Sequence, residues 1–415
     1  MRLPPFSQFC SRTRIISGEH ALERLPGLLS SMSVKNPLLL TDKGLEAAGL
    51  LRLVIDHIEK GKLPAPLIFT DIPPDSDLQT VNEIAHLYRE KGCDSIIALG
   101  GGSVIDTAKA VNIVVSCAEP DAQVLDLRDF SGADVITQRL LPLIVLPTTA
   151  GTGSEATIVA VIKDHENNRK MLFTSNFLQP TATILDPDLT LTLPPFLTAA
   201  VGMDALTHAI EAYTCLGKNP LSDGMSLQAI RMIIDNLEYS VAHPEDRSSR
   251  LALAIGANLA GQAFSNSMVG IIHTVGHTVG SICGVHHGLC MSILLPYGLE
   301  YNLHKIEKEL KELSLYLCGE QKEAIGTIAA IRSLNDRLKK ATAGRHVTRL
   351  HDVLDRDKRS AVRPDHLPII AVEALGDGSH FYNPEQIDYD DILYLLNAAY
   401  WGYPLDRELI QKGHE

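Results

Sequence analysis

The sequence predicts an N-terminal α/β domain built on a parallel sheet and a C-terminal domain that contains only helices. The chain of 415 residues is too long for one hydrophobic core, so two domains of ordinary size are expected. In the first half, short apolar runs alternate with amphipathic stretches. Strand signals stop after "LTLPP" at 191–195, and helical spacing continues from there to "YDDILYLLNAAYWG" at 389–402. We therefore expect the α/β domain at residues 1–190 and the helical domain at residues 191–415.

The alternation in the first half predicts the sheet. The apolar runs have the length of buried strands and lie at residues 37–42, 66–71, 94–101, 141–148 and 181–187. Two of the stretches between them, 76–92 and 103–116, have helical spacing. Strands and helices in alternation indicate a parallel sheet that is covered on both faces. Residues 155–175 break this pattern and predict a β-hairpin that turns at His165–Asn168.

The composition excludes several classes of partner. With 37 basic and 50 acidic residues the net charge is −13, which argues against nucleic acid or an anionic membrane as the main partner. No apolar run reaches the roughly 18 residues that cross a bilayer, and the first residues lack the continuous apolar segment of a secretory signal. The seven cysteines are odd in number and form no CxxC motif, which indicates reduced thiols. We expect a cytoplasmic protein.

Two glycine-bearing loops are candidates for a dinucleotide site. The strand "SIIALGG" leads directly into Gly100–Ser103 and then into a helix, where glycine backbones and a helix N-terminus suit a diphosphate. A tight turn would use the same glycines. The loop "PTTAGTGSEAT" at 147–157 follows a second strand, so the two loops would face each other across a crevice. Asp42, at the end of a third strand, could accept a hydrogen bond from a ribose hydroxyl or simply cap a helix.

Histidines and one aspartate have the spacing of metal ligands. Asp204 and His208 are four residues apart, so a helix places them on one face, and His273 and His277 repeat this spacing. Together with either His286 or His287, three of these residues (Asp204, His208 and His273) supply one carboxylate and three imidazoles. Such a set suits Fe²⁺ or Zn²⁺.

A structural zinc site is the alternative use of the same segment. Cys283 and Cys290 flank His286 and His287 and could bind zinc with one of them. The two cysteines lack the close CxxC spacing of such sites, and buried free cysteines are the simpler explanation.

Several segments resemble the signature motifs of the iron-containing (group III) alcohol dehydrogenase family. They are "ALGGGSVIDTAKA", "PTTAGTGSEAT", "DPDLTLTLPP", "GMDALTHAIEAY" and "HTVGHTVGSICGVHHGLCMSILLPYGLEYN". The resemblance is colinear from about residue 10 to 302 and resumes at 373–392. The charged stretch 342–363 departs from the family pattern, so residues 320–370 align poorly.

The resemblance implies roles for individual residues. It assigns the metal ligands to Asp204, His208, His273 and His287, rather than His286, and gives His277 a catalytic or proton-relay role. Asp42 matches the position that favours NAD over NADP. The implied cofactor contacts are Asp42, Gly100, Gly101, Gly102, Ser103, Asp106, Thr148, Thr149, Thr152 and Lys170.

The resemblance also implies an activity. We expect a nucleotide-binding domain, a metal-binding helical domain, and NAD-linked hydride transfer between a small primary alcohol or diol and its aldehyde. Fe²⁺ is the expected metal, with Zn²⁺ and NADP as alternatives, and the expected assembly is a homodimer. On the same scaffold, a hydroxyacid–oxoacid transhydrogenase or a maleylacetate-type reductase is the alternative enzyme. A dehydroquinate-synthase-like lyase is more remote, and a zinc-stabilised binding module is the alternative outside enzymes.

Overall fold

The computed structural model describes residues 4–117, 126–167, 169–406 and 409–410. The chain divides into two compact units. The α/β unit comprises Cys10–Leu193 and Asp246–Gly261. The helical unit comprises Met1–Phe9, Pro194–Glu245 and Gln262–Glu415. A segment that follows residue 191 in the sequence, Asp246–Gly261, therefore belongs to the α/β unit.

The α/β unit is organised around a parallel sheet, as predicted. Its strand order is β1-β9-β6-β4-β2-β3, and every neighbouring pair is parallel. A smaller sheet has the order β5-β8-β7. The strands are β1 Arg14–Ser17, β2 Pro37–Leu40, β3 Leu67–Phe69, β4 Ser95–Gly100, β5 Gly132–Ala133, β6 Leu143–Pro147, β7 Val159–Asp164, β8 Arg169–Thr174 and β9 Ala182–Leu185.

Both faces of the parallel sheet are buried, which explains why its strands are apolar without alternation. On β4, Ile96 and Ala98 pack into one hydrophobic core, whereas Ile97 and Leu99 pack into a second core. The helices of this unit include α1 Leu25–Ser31, α2 Lys43–Ala47, α3 Leu50–Lys60, α4 Leu78–Glu90 and α5 Gly102–Cys117.

The predicted hairpin is present as the antiparallel pair of β7 and β8. Its register joins Val159 to Thr174 at one end and Asp164 to Arg169 at the other. Asn168, the last residue of the predicted turn, lies outside the described residues.

The helical unit starts at a proline-led helix. α6 begins at Pro195 and is buried along nearly its whole length between α7 and α10. A capping box between Asn219 and Ser222 fixes the start of α7, where Pro220 occupies the first helical position. The helices from residue 195 onward are α6 Pro195–Thr214, α7 Pro220–Ala242, α8 Arg247–Ser265, α9 Ile271–Cys283, α10 His287–Cys318, α11 Ala324–Ala341, α12 Leu367–Ala374 and α13 Tyr389–Trp401.

None of the helices formed by the described residues combines the length and the apolar content that a membrane span requires.

His346 is one of the buried residues that anchor the charged stretch 342–363. The side chain of His346 is fully buried, and its Nε2 lies 2.8 Å from the hydroxyl of Ser292 on α10. Asn335 on α11 accepts the hydrogen bond of that hydroxyl at 2.7 Å. In the part of the chain that the structure describes, Nδ1 of His346 has no hydrogen-bond partner. Burial lowers the pKa of His346 to about 4.

His346 is expected to make stability depend on pH. The folded protein keeps the imidazole neutral, whereas the unfolded chain takes up a proton near pH 6.5. Stability is therefore complete above pH 6.5 and falls as the pH decreases toward 4. His346→Gln removes this titrating group. As the pH falls from 6.5 to 4, the unfolding free energy of wild type should therefore decrease more steeply than that of His346→Gln, by up to about 1.4 kcal/mol per pH unit. Thermal melting of both proteins between pH 7 and 4 tests this, and parallel curves would contradict it.

Candidate active site

Four predicted metal ligands converge in the helical unit. α6 presents Asp204 and His208 from one face, α9 presents His273 from its first turn, and α10 begins at His287. One ligand atom from each residue lies within 4.8 Å of the ligand atoms of the other three. Among the described residues this is the only group of His, Cys, Asp or Glu side chains arranged to hold a metal ion.

The atoms of this group face one another without partners. Oδ1 of Asp204 lies 3.3 Å from Nε2 of His287, 3.8 Å from Nδ1 of His208 and 3.9 Å from Nε2 of His273. Within the described residues, Oδ1 of Asp204, Nδ1 of His208 and Nε2 of His273 are buried and make no hydrogen bond. Buried acceptors are costly unless something satisfies them. A divalent cation at their centre fits this donor set.

The buried ligands adopt the protonation states that a metal requires. Burial lowers the pKa of His208 to about 3 and holds the pKa of His273 well below its usual value. Burial alone would raise the pKa of Asp204, but the neighbouring His287, His208 and His273 outweigh it and lower this pKa. At neutral pH the group therefore contains a carboxylate and, at His208 and His273, neutral imidazoles with free lone pairs.

A glycine lets α10 approach α6 closely enough for His287 to join the group. Gly288 follows this ligand, and a Cβ at Gly288 would lie 2.4 Å from the carbonyl oxygen of Ala200 on α6. No side chain fits at that distance, so the approach of the two helices requires glycine at this position.

Glu211, which is not among the predicted site residues, orients the third ligand. Its Oε1 accepts a hydrogen bond from the backbone N–H of Ile272 at 2.9 Å, and its Oε2 accepts from Nδ1 of His273. The Nδ1 proton leaves Nε2 of His273 free for a metal. Burial raises the pKa of Glu211 to about 7. Glu211 lies seven residues after Asp204, on the same helical face, and this spacing could have revealed it.

His277 lies next to the ligands and is held by a carboxylate. Its Nδ1 donates to Oδ2 of Asp377 at 2.8 Å, and its ring lies 5.3 Å from the ring of His287 and 5.6 Å from that of His273. Burial would raise the pKa of Asp377, but its hydrogen bond to His277 outweighs this and lowers the pKa to about 2. No local sequence signal could have revealed Asp377, which lies 100 residues after His277.

An aromatic ring covers the second ligand. The ring of Phe264 stacks on His208 with a centroid distance of 4.3 Å and an interplanar angle of 13°. The ring of His273 also stacks on His208, with a centroid distance of 4.3 Å. His208 is thus stacked against two neighbouring rings.

The alternative zinc site does not form. Sγ of Cys283 lies 3.3 Å from Nδ1 of His366, and Cys290 is buried with its Sγ 3.9 Å from the carbonyl oxygen of Val285. Neither cysteine belongs to the metal-ligand group, and His286 also lies outside it.

In the α/β unit, the two predicted glycine loops lie against each other. β4 and β6 are neighbours, with Gly100 paired to Pro147, and the N–H of Thr148 donates to the carbonyl of Gly100 at 3.1 Å. A Cβ at Gly101 would lie 3.2 Å from Thr149, and one at Gly102 would lie 3.1 Å from Thr152. The loops therefore leave exposed backbone where side chains would crowd. This cradle, at the start of α5, fits a diphosphate.

Asp106 and a buried lysine fix the second loop. Oδ1 of Asp106 accepts from the hydroxyl of Ser154 at 2.5 Å, and its Oδ2 accepts from the N–H of Val161 at 3.0 Å. Lys109, one turn later, is fully buried, and its Nζ donates to the carbonyl and hydroxyl oxygens of Thr157 at 2.9 and 3.0 Å. Asp106 therefore helps to hold the loop 147–157 in position.

Two further predicted contacts, Ser103 and Lys170, line one polar pocket of about 140 Å³. The hydroxyl of Ser103 donates to the carbonyl of Pro74, and the hydroxyl of Ser76 donates to the carbonyl of Ser103 at 2.6 Å. These paired hydrogen bonds hold the 74–76 loop against the glycine loop. The pocket is lined by Asp75, Ser76, Ser103, Asp106, Val161, Lys163 and Lys170.

Asp42 caps α2. Its Oδ1 accepts from the N–H of Leu45 at 3.0 Å, which is the helix cap that the sequence offered as one of two interpretations. Asp42 follows β2, whose neighbour β4 carries the glycine loop. Its contact with a ribose stays a prediction.

Comparison with known proteins covers both halves of the chain. Residues 12–187 match the family described as iron-containing alcohol dehydrogenase, and residues 198–400 match the C-terminal part of the same family. Alcohol dehydrogenase 4 of Saccharomyces cerevisiae is 30% identical over 400 residues, which cover 96% of this chain and 97% of that protein. The NAD-dependent methanol dehydrogenase of Bacillus methanolicus is 31% identical over 92% of this chain and 97% of its own length.

A solved structure agrees with these matches. The crystal structure of a 1,3-propanediol oxidoreductase superposes with a TM-score of 0.86 at 29% identity and covers 95% of this chain and 100% of that chain. This chain is an oxidoreductase that belongs to the iron-containing alcohol dehydrogenase family.

Proposed function

We propose that the protein is an NAD-preferring, Fe²⁺-dependent dehydrogenase that interconverts small primary alcohols or diols and their aldehydes. The observation that carries this proposal is the convergence of Asp204, His208, His273 and His287 on one point, because this N/O donor set without thiolate suits Fe²⁺. Zn²⁺ accepts the same donors and is the alternative metal, and NADP is the alternative cofactor. The names of the methanol dehydrogenase and the 1,3-propanediol oxidoreductase support the substrate class.

The site residues have three roles: they bind the metal, bind the dinucleotide and transfer the proton. A divalent cation held by the four ligands supplies a Lewis acid that lowers the pKa of a substrate hydroxyl. The nicotinamide ring supplies the acceptor for the hydride. The backbone of Gly101–Ser103 holds the diphosphate beside the Thr148–Thr149 loop, and the dipole of α5 favours its negative charge.

His277 carries the proton that the alcohol releases. Because Asp377 engages Nδ1, the atom that takes up the proton is Nε2. The side chain of His277 is 43% exposed, so the proton can pass on to water. Asp377 keeps the ring in one orientation throughout.

We also propose that the protein is a cytoplasmic homodimer. The seven cysteines are all free thiols, which supports a reducing compartment. Among the described residues, β1 has a partner strand on one side only, and Ile15 on this strand is 39% exposed. Such an edge can pair with a second copy of the chain.

The metal assignment predicts a joint loss of iron and activity. Wild-type protein reconstituted with Fe²⁺ should reduce NAD with short primary alcohols or 1,3-diols, as followed by the absorbance of NADH. His208→Ala should lose metal affinity by more than the roughly 100-fold that loss of an outer partner costs. Elemental analysis measures the metal, and His286→Ala is the matched control that should retain both.

Other results would redirect the proposal. If His208→Ala keeps both metal and turnover, the ligand assignment is wrong. If hydride moves between two substrates but free NAD does not turn over, the enzyme is a transhydrogenase. A substrate panel with NAD and NADP, on protein loaded separately with Fe²⁺ and Zn²⁺, decides the remaining alternatives.

The role of His277 predicts a different pattern. His277→Ala should keep its metal, because this residue is not one of the four ligands, but its kcat should fall about tenfold or more. The kcat of Asp377→Asn should lie between those of wild type and His277→Ala, because the imidazole of His277 remains but its orientation is lost. Metal analysis and steady-state kinetics measure both. Loss of metal from His277→Ala would mean that the histidines have other roles.

The role of Asp42 predicts a change in cofactor preference. Asp42→Gly should raise kcat/KM with NADP relative to NAD, because a carboxylate repels the 2′-phosphate. Loss of the helix cap in this variant should lower the free energy of unfolding by only a few tenths of a kcal/mol. Asp388→Gly, which removes the cap of α13, is the matched control and should leave the ratio unchanged. An unchanged ratio in Asp42→Gly would show that Asp42 is a cap alone.

A further inference from the structure

Two lysines face each other across the β7–β8 hairpin of the α/β unit. Lys163 and Lys170 are directly opposite in the antiparallel register, so their side chains leave the sheet on the same face. Both line the polar pocket of about 140 Å³ that also contains Ser103. Like charges at directly opposed positions destabilise a sheet, so an anion between the two lysines would stabilise this arrangement.

The protein does not supply that anion within the part that the structure describes. Neither ammonium group forms an ion pair there, although Asp75 and Asp106 also line the pocket. Both oxygens of Asp106 already accept hydrogen bonds from Ser154 and Val161.

The neighbouring pair on the hairpin behaves differently. Asp164 and Arg169 are opposite in the register and lie 3.7 Å apart as an ion pair. Asp164 also pairs with Arg128 at 3.0 Å. Successive pairs point to opposite faces of the hairpin, so the face with matched charges is the one away from the pocket.

The remaining walls of the pocket suit a phosphate group. Ser103 lies in the first turn of α5, whose N-terminus favours negative charge. The hydrogen bond from Ser76 to the carbonyl of Ser103 and the bond from Ser103 to Pro74 hold this turn in place. The first N–H groups of a helix have no partner within the helix, so those of this turn suit an anion.

We propose that Lys163 is a further cofactor-binding residue, which contacts the diphosphate of the dinucleotide beside Lys170. Two ammonium groups match the two negative charges of a diphosphate, and charge-assisted hydrogen bonds to phosphate oxygens are strong. The inference rests on the proposed NAD-linked function, because that function brings the diphosphate to this loop.

Direct titration of the full-length protein with NADH, followed by the fluorescence of NADH, tests the proposal without turnover. Lys163→Ala should bind NADH about tenfold more weakly than wild type, the effect of losing one charged hydrogen bond. Its affinity should also depend less on salt, because one screened contact is gone. Lys163→Gln keeps most of the aliphatic stem and should weaken binding similarly, whereas Lys163→Arg should restore it. Calorimetric titration with adenosine, which has no phosphate, should give the same affinity for all variants.

Arg169→Ala is the matched control, because it removes a positive charge from the other face of the same hairpin. Its affinity for NADH should stay within about twofold of wild type. If wild type binds NADH and both Lys163→Ala and Lys163→Gln bind it equally well, the role of Lys163 is overturned and the proposed function stands. If wild type binds no NADH, the proposed function is overturned together with this inference.

Discussion

The candidate metal site depends on one electrostatic conflict: within the described residues, Oδ1 of Asp204 and the facing nitrogens of His208 and His273 are buried without a hydrogen-bond partner. Three imidazole nitrogens lie 3.3 to 3.9 Å from this oxygen, and burial keeps His208 and His273 from taking up protons that would relieve the conflict. α6 is buried along nearly its whole length, so the carboxylate cannot turn to water instead. A cation is the one partner that satisfies all these atoms at once. The metal is therefore part of the packing of the unit as well as of its chemistry.

A second layer of residues turns this conflict into a defined geometry. Glu211 fixes which nitrogen of His273 is free, the ring of Phe264 restricts His208, and Asp377 fixes His277. The α/β unit uses the same principle without a metal, since the half-buried carboxylate of Asp106 holds both the second glycine loop and β7. In both units, polar side chains orient the residues that are expected to bind the ligand.

Local sequence patterns were sufficient to predict part of the fold and part of the metal site. Burial on both faces produces continuous apolar strands, and a four-residue spacing on α6 places two ligands on one face, so the sheet and half of the metal site could be predicted. The choice of His287 over His286 came from family resemblance alone, because its physical basis is tertiary: α10 begins at His287, and Gly288 lets this first turn pack closely against Ala200 of α6. Glu211 followed the same helical spacing and could have been found. Asp377 could not, because only tertiary contacts bring it to its site. Lys170 came from the family resemblance, and its pairing with Lys163 follows from the register of the predicted hairpin.

The start of α9 has a consequence for the order in which the protein matures. The N–H of Ile271, two residues before a metal ligand, donates to Oδ1 of Asn383, which lies 112 residues later in the chain. The amide of Asn383 also donates to Asn302 on α10, so this one side chain ties two ligand-bearing helices together. A ribosome synthesises Asp204 and His208 long before it reaches Asn383. All four ligands, up to His287, are therefore synthesised before the Asn383 side chain that joins α9 to α10, so the contact that fixes the two helices against each other forms late in synthesis.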